Sequence, residues 1–243
     1  VYKRQILTDK TGTLTENRMT VVEMRLFDHN IQIEGTGFET RGEFKANDET
    51  IVPSSTPVLL EALRAGVLCN NAALNSAEDG EPHPTGDPTE VALLVAGAKA
   101  GLERGKLLHE WPELHEEAFD PTAMRMATLH GYRDSIVAAV KGAPGTIIEL
   151  CSAIRTSTGE KPLSKEDKES WQKAASEMAA SGKRILALAT KQLNSTAEFE
   201  YADLTFLALV GFFDPPRERV RAAIDACQDA GIRVVMVTGD HGA

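Results

Sequence analysis

The run Asp9-Lys10-Thr11-Gly12-Thr13-Leu14-Thr15 has the residue types and spacing that point most directly to chemistry. A short apolar stub, Ile6 to Thr8, leads into a carboxylate and then into a turn rich in hydroxyls and backbone N–H groups. A carboxylate at a strand end can attack an in-line phosphoryl group and form an acyl phosphate. The N–H groups and hydroxyls that follow can cradle the phosphoryl oxygens, and Mg²⁺ can offset their charge. The plainer reading is an aspartate in a strand-end turn with capping threonines. A bare D-x-x-G-T would leave the two level, whereas the full run of seven favours the chemical reading.

These residues need elements to position them. The far end repeats the pattern: an apolar strand, Arg233 to Val237, runs into the loop Thr238-Gly239-Asp240. Ligands of open α/β sheets sit outside the carboxyl ends of parallel strands, and Asp9 and Asp240 would both stand there. The simplest arrangement joins residues 1–17 and 214–243 in one α/β unit. Residues 18–213 then form an inserted domain richer in hairpins. Within it, Met19–Phe27 and Ile31–Ile33 read as strands, with the Gly-rich stretch Gly35–Gly42 linking hairpin elements. Pro57–Leu74 and Pro88–Leu102 carry apolar residues at helical spacing. Met124–His130 and Ser135–Val140 form a strand pair around Gly131–Asp134. Ser164 to Asp167 has capping-box form and opens a helix to about Ala180, ended by Gly182. Ile185–Ala189 and Leu204–Phe213 read as buried strands. Asp214-Pro215-Pro216-Arg217 breaks the chain, and a helix follows to about Ala230.

Composition excludes several classes. The 243 residues make one or two domains. A net charge of −10 and a pI of about 5.2, with no basic cluster, argue against a nucleic-acid partner. The longest nearly apolar run, Leu204–Phe213, is far short of the roughly 20 residues a membrane helix needs. The opening VYKRQ has no secretory character. Cys69, Cys151 and Cys227 are odd in number and widely spaced, which fits a reducing compartment better than disulfides or zinc. His109 and His115 lie at a spacing that suits no metal-binding face.

The run Asp9 to Asn17, followed by Arg18-Met19-Thr20-Val21, closely resembles the phosphorylation motif of P-type ATPases, especially the calcium-pump-like group. Gly86-Asp87-Pro88-Thr89-Glu90 and Lys141-Gly142-Ala143-Pro144 resemble that family's nucleotide-domain motifs. Asp214 to Arg217 and Thr238-Gly239-Asp240 resemble its hinge and second phosphate loop. The resemblance runs from Ile6 to Gly242, and its specificity lies in the order of the motifs.

The resemblance implies an α/β fold: a haloacid-dehalogenase-like phosphorylation domain, incomplete here, interrupted by an α+β nucleotide-binding domain with an antiparallel sheet. It implies ATP and Mg²⁺, with Asp9 as phosphoryl acceptor beside Lys10. Thr11 would meet the γ-phosphate through its hydroxyl and Mg²⁺ through its carbonyl, so that Asp9 and Thr11 hold the metal. Thr238, Gly239 and Asp240 would form the loop that holds the transferred group. Soluble haloacid-dehalogenase relatives often carry an acid/base aspartate at the Thr11 position; its absence suits a slowly hydrolysed intermediate.

In the nucleotide domain, Glu90 resembles the acid at the adenine edge, although Asp87, Pro88 and Glu90 also read as a helix N-cap, N1 and N3. Phe119 stands where the family stacks adenine; a lone Phe is more often core. Lys141 and Gly142 resemble the pocket mouth, although a lone Lys is usually solvated. Arg184 resembles an arginine directed at the phosphates. One departure is Met124, where the family usually has a lysine near the triphosphate. Arg125 points to the opposite strand face, so weaker phosphate binding is expected.

The chain stops before the family's later phosphate-site lysine and second Mg²⁺ loop, and VYKRQ does not resemble the expected strand. The expectation is therefore an incomplete portion of an ATP-driven cation pump, on the cytoplasmic face of a membrane. Its partners would be the membrane and actuator domains of the same polypeptide. The alternatives are a soluble haloacid-dehalogenase-class phosphatase or phosphotransferase, and a non-catalytic ATP-binding module.

Overall fold

A computed structural model gives the fold and describes residues 4–16, 18–76, 82–217 and 219–237. In chain order the strands are β1 (Gln5–Asp9), β2 (Thr20–Arg25), β3 (Asn30–Ile33), β4 (Phe44–Ala46), β5 (Glu49–Ile51), β6 (Ala73–Ser76), β7 (Pro82–Thr85), β8 (Glu113–Asp120), β9 (Arg125–Tyr132), β10 (Ser135–Gly142), β11 (Cys151–Thr156), β12 (Gly159–Pro162), β13 (Arg184–Leu193), β14 (Leu204–Phe213) and β15 (Arg233–Val237). The α-helices are α1 (Pro57–Leu68), α2 (Pro88–Lys99), α3 (Arg104–Glu110), α4 (Pro144–Leu150), α5 (Lys165–Ala180) and α6 (Val220–Asp229).

Among the described residues eleven strands form one mostly antiparallel sheet, nine of them in the order β5-β4-β3-β2-β14-β13-β10-β9-β8. From β14 a parallel partner, β11, branches off and carries β12. The sequence of β14 explains its central place. It is apolar without alternation, as a strand covered on both faces must be, and Leu204 to Phe212 are all buried. Leu207, Val210 and Phe212 pack with Leu59, Leu63 and Leu93 of α1 and α2. Leu204, Phe206 and Leu209 pack on the other face with Ile147 and Ile148 of α4 and Met178 of α5. The Trp171 ring tilts against Phe206 with centroids 4.9 Å apart. Burying a side chain the size of Phe206 contributes about 2–3 kcal/mol.

The capping box of α5 forms as read: Ser164 Oγ accepts from the Asp167 N–H and Asp167 Oδ2 accepts from the Ser164 N–H, both at 3.1 Å. Helix α1 ends earlier than the Pro57–Leu74 periodicity suggested. Past Leu68 the Asn70 side chain takes over the local bonds, donating to the Gly66 carbonyl and accepting from the Ala72 N–H. Such short amide side chains compete with helical bonding and stop a helix. The chain then turns into the β6–β7 hairpin. Strand β8 was also not anticipated. Its residues are exposed or nearly so throughout, since it is the sheet edge, and no apolar alternation marks it.

At the chain's two ends, β1 and β15 pair in parallel, from Gln5 opposite Arg233 to Asp9 opposite Val237. Two crossing segments connect this pair to the large sheet. Thr15 bridges Pro216, the Glu16 N–H donates to the Pro215 carbonyl, and the Arg217 N–H donates to the Leu14 carbonyl. The Asp214 carboxylate ties the crossing from both sides, accepting from the Thr15 hydroxyl at 2.5 Å and the Arg18 N–H at 3.1 Å. Among the described residues no helix is long and apolar enough to cross a membrane.

Candidate functional site

The start of α2 is built by its own sequence. Gly86 has φ +118°, and a Cβ there would lie 2.7 Å from the Ala72 Cβ, so only glycine fits. Asp87 then caps the helix, its Oδ1 accepting from the Thr89 N–H at 2.8 Å and the Glu90 N–H at 3.3 Å, with Pro88 at the first helical position. This fixes Glu90 at the sheet face. Along β10, Ala138 and Val140 point to the α4–α5 core, whereas Val137 and Ala139 point to the α1–α2 core. Lys141 shares the second face and reaches Glu90.

Lys141 Nζ donates to Glu90 Oε1 at 2.5 Å and to the Cys69 carbonyl at 2.7 Å. The two side chains are only 7% and 15% exposed. A pair this deep is tolerated when most of its other lone pairs and protons find partners, and here most do. Glu90 Oε2 accepts from the Asn71 N–H at 3.1 Å, and the Cys69 carbonyl lies just past α1, where a helix end favours a cation. An ammonium has three donors; among the described residues two are spent, which leaves one uncommitted. Burial pushes the Cys69 thiol up to about 11 against the lowering effect of Lys141, so it is not a nucleophile at neutral pH.

Gly142 follows in a close backbone approach. A Cβ there would sit 2.5 Å from the Met124 carbonyl, which accepts the Ala143 N–H at 2.9 Å. Phe119 lies in β8 at a register shift between Glu117 and Asp120 and is 56% exposed, so it is not a core residue. Strand β8 joins the same neighbourhood, because the Asn71 side-chain amide donates to Glu116 Oε1 at 2.7 Å. Arg184 opens β13, exposed, opposite Phe212; farther along β13, Ala187 faces Gly142 across the sheet. Met124 has φ +50° and is half exposed. Arg125 is engaged elsewhere, with its guanidinium 4.0 Å from the Tyr201 ring centroid on the α4–α5 side. Burial raises the Tyr201 hydroxyl to about 12.

The Asp9 region is separate in sequence and in setting. Asp9 ends β1, exposed, and a single π-helical turn, Lys10–Leu14, follows. In that turn Lys10 and Thr11 are described by backbone alone. The Gly12 N–H donates to Thr15 Oγ1 at 3.1 Å, and the Gly12 carbonyl accepts from Arg217 at 2.9 Å. Thr238, Gly239 and Asp240 come directly after Val237 and lie outside the described residues. Among the described residues no group of three His, Cys, Asp or Glu side chains could hold a metal ion.

The structure thus brings Asp87, Glu90, Lys141 and Gly142 together, with Phe119 on the strand tied to them and Arg184 along β13. Sequence reasoning missed the hub that organises them, Cys69-Asn70-Asn71. The available signal was two successive asparagines after an apolar helix, a stop signal. Comparisons with known proteins identify the family. Residues 59–219 match the P-type ATPase cytoplasmic domain N. Over 97% of its length the chain is 36% identical to a cation-transporting ATPase of Synechocystis and 35% identical to a calcium-transporting ATPase of Bacillus subtilis. Over the same share it is 34% identical to the sodium/potassium-transporting ATPase alpha subunit of Tetronarce californica. It spans 27%, 27% and 24% of these relatives, about a quarter of each. The chain belongs to the P-type cation-transporting ATPases, and residues 59–219 carry their cytoplasmic domain N.

Proposed function

We propose that this chain is the ATP-binding and phosphoryl-accepting portion of an ATP-driven cation pump. Residues 18–213 form the nucleotide-binding domain, and residues 1–17 with 214–243 belong to a haloacid-dehalogenase-like phosphorylation domain. The parent polypeptide adds membrane and actuator domains, which places this portion at the cytoplasmic face of a membrane. The observation that carries the reading is the buried Glu90–Lys141 pair, with one ammonium donor uncommitted among the described residues, near a strand that exposes the Phe119 ring. Adenine stacks on Phe119 and is met at its edge by Glu90 and Lys141, while Arg184 faces the phosphates.

Asp9 attacks the γ-phosphorus of ATP. The bond to the β-phosphate oxygen breaks, ADP leaves, and an acyl phosphate forms on the carboxylate. Water later cleaves that acyl phosphate, restoring Asp9 and releasing phosphate. Thr11 offers no carboxylate to take the proton of that water, which keeps the intermediate long-lived. Mg²⁺ supplies neutralisation of phosphate charge when bound. It typically uses one or two carboxylates plus substrate phosphates, and Asp9, an exposed carboxylate at the end of β1, would supply one, with the Thr11 carbonyl two residues on as a further oxygen.

Titrating the chain with ATP by NMR tests the binding half. The expected dissociation constant is about 0.1 to several mM, or about 4–5.5 kcal/mol, because Met124 brings no charge to the triphosphate. Submicromolar affinity, or no binding up to about 10 mM with the fold intact, would overturn it.

A further inference from the structure

We propose that Arg104 is a positioning residue for the nucleotide pocket, acting through the Asn70–Asn71 segment; this rests on the reading of Glu90 and Lys141 as adenine contacts. Arg104 opens α3, a poor place for a cation on helix grounds alone, because the N-terminus of a helix carries partial positive charge. Its guanidinium instead leaves the helix and donates through Nη2 to the Asn70 carbonyl at 2.5 Å. Among the described residues the nearest carboxylate, Glu113, is 3.9 Å away, and the buried Arg104 Nε has no hydrogen-bond partner. The bond to Asn70 is thus the main thing this side chain accomplishes.

Asn70 is fully buried and is the hub of the pocket wall. Its amide donates to the Glu90 carbonyl at 2.9 Å and to the Gly66 carbonyl at 3.3 Å, and its Oδ1 accepts from the Ala72 N–H at 2.9 Å. The flanking peptides carry the pocket contacts themselves: the Cys69 carbonyl takes Lys141 and the Asn71 N–H takes Glu90 Oε2. Two cations, Lys141 and Arg104, therefore hold consecutive carbonyls where α1 ends. Lys141 belongs to the pocket, and Arg104 approaches from α3. Without Arg104 the Asn70 carbonyl loses its charged donor, and the loop that sets the Glu90 carboxylate opposite Lys141 can shift.

The test combines stability, affinity and coupling on the chain. Arg104→Met should weaken ATP binding about tenfold, the scale of one lost charge-assisted hydrogen bond. Arg104→Lys, which keeps a cation but not the planar fork, should recover part of it. Arg155→Met is the control: Arg155 joins Glu61 of α1 to Glu160, away from Glu90, and should lower the melting temperature without changing affinity. In a Glu90→Gln background, Arg104→Met should cost little further affinity, because both changes act on one contact. Full multiplication of the two losses, or unchanged affinity in Arg104→Met, overturns the proposal. The Asn71 amide resonance gives a readout without nucleotide: Arg104→Met should shift it and speed its hydrogen exchange, and an unchanged signal overturns the positioning role. Failure of the wild-type chain to bind ATP would instead overturn the nucleotide reading, and the amide signal would still report on Arg104.

Discussion

Lys141 and Asp9 each sit at or next to the end of a strand, and their surroundings differ in nearly every respect. Lys141 is the last residue but one of a strand with neighbours on both sides and a helix layer above, and its ammonium is almost wholly buried. Asp9 ends a strand paired on one side with β15, and Ile6, Leu7, Met236 and Val237 of that pair are each more than two-fifths exposed. The first region is held by packing that surrounds it, the second by a few directional bonds at the crossing of Gly12–Thr15 with Asp214–Arg217. The difference teaches that the proposed binding and phosphoryl-accepting regions rest on separable supports. A change in one region should leave the other measurable.

The largest effect that would break this comparison concerns Asp9. In a full-length polypeptide carrying this sequence, Asp9→Asn should abolish the hydroxylamine-sensitive label from γ-labelled ATP. ATP affinity of the present chain should not change. A label that survives the substitution rules out Asp9 as acceptor, and a large change in affinity would show the regions coupled.

Lys141→Met should come next. It strands the Glu90 carboxylate in a buried place, at a cost of about 3 kcal/mol in denaturant unfolding, and it removes nucleotide binding. Adding Glu90→Gln should restore part of the stability but none of the binding, since no charge is then left unpaired. If the single variant is as stable as the parent, the pair is not the support described here.

Phe119 separates binding from stability within the first region. At 56% exposure, Phe119→Ala should leave stability within about 0.5 kcal/mol and weaken ATP binding by about 1–3 kcal/mol. Phe119→Trp should keep most of the affinity. Melting and titration on the same samples decide it.

A smaller effect sharpens the contrast from the other side. Asp214→Asn weakens the bonds from the Thr15 hydroxyl and the Arg18 N–H, worth about 1–2 kcal/mol. Amide exchange should speed up in β1 and β15 and stay unchanged in β10. Equal acceleration in both would mean that the supports are shared.

The pH dependence is the mildest. Burial holds His130 below its ordinary value, with a further push from Arg104, against the Trp111 carbonyl that favours the charged form. A base depressed in the folded state is protonated preferentially on unfolding, so this contribution is complete above about pH 6.5 and fades as pH falls below it. The depressed carboxylates of Asp28, Asp120 and Asp167 act in a lower window, from about pH 4 downward. His130→Asn should flatten the melting curve between about pH 6.5 and 5 and leave the acid limb in place.

The sequence was legible where a local rule decided the outcome. The capping box of Ser164 and Asp167, the cap at Asp87, and the unbroken apolar run of β14 were all readable from the residues and are present as read. Strand β8 was hidden because an edge strand needs no apolar face, and Glu113–Asp120 shows none. The same limit applies to the site. Glu90 and Lys141 were singled out by motif, but their mutual bond depends on α1 and α2 packing on one sheet face. Asn70 and Arg104 act through a backbone carbonyl, which leaves no trace in residue spacing.

The position of β14 has a consequence for how the chain reaches this shape. One wing of the sheet, β5-β4-β3-β2, comes from the first 51 residues, and the other, β8-β9-β10-β13, is finished at Leu193. No strand of one wing pairs with a strand of the other; Leu204–Phe213 lies between β2 and β13 and joins them. During synthesis both wings therefore wait with an open hydrogen-bonding edge, for a strand that arrives last and pairs with residues about 190 positions earlier. Such long-range closure is slow and exposes the waiting edges to other chains. Ribosome-bound chains halted before Leu204 should be the most prone to cluster, and those halted after Phe213, once clear of the exit tunnel, should lose that tendency.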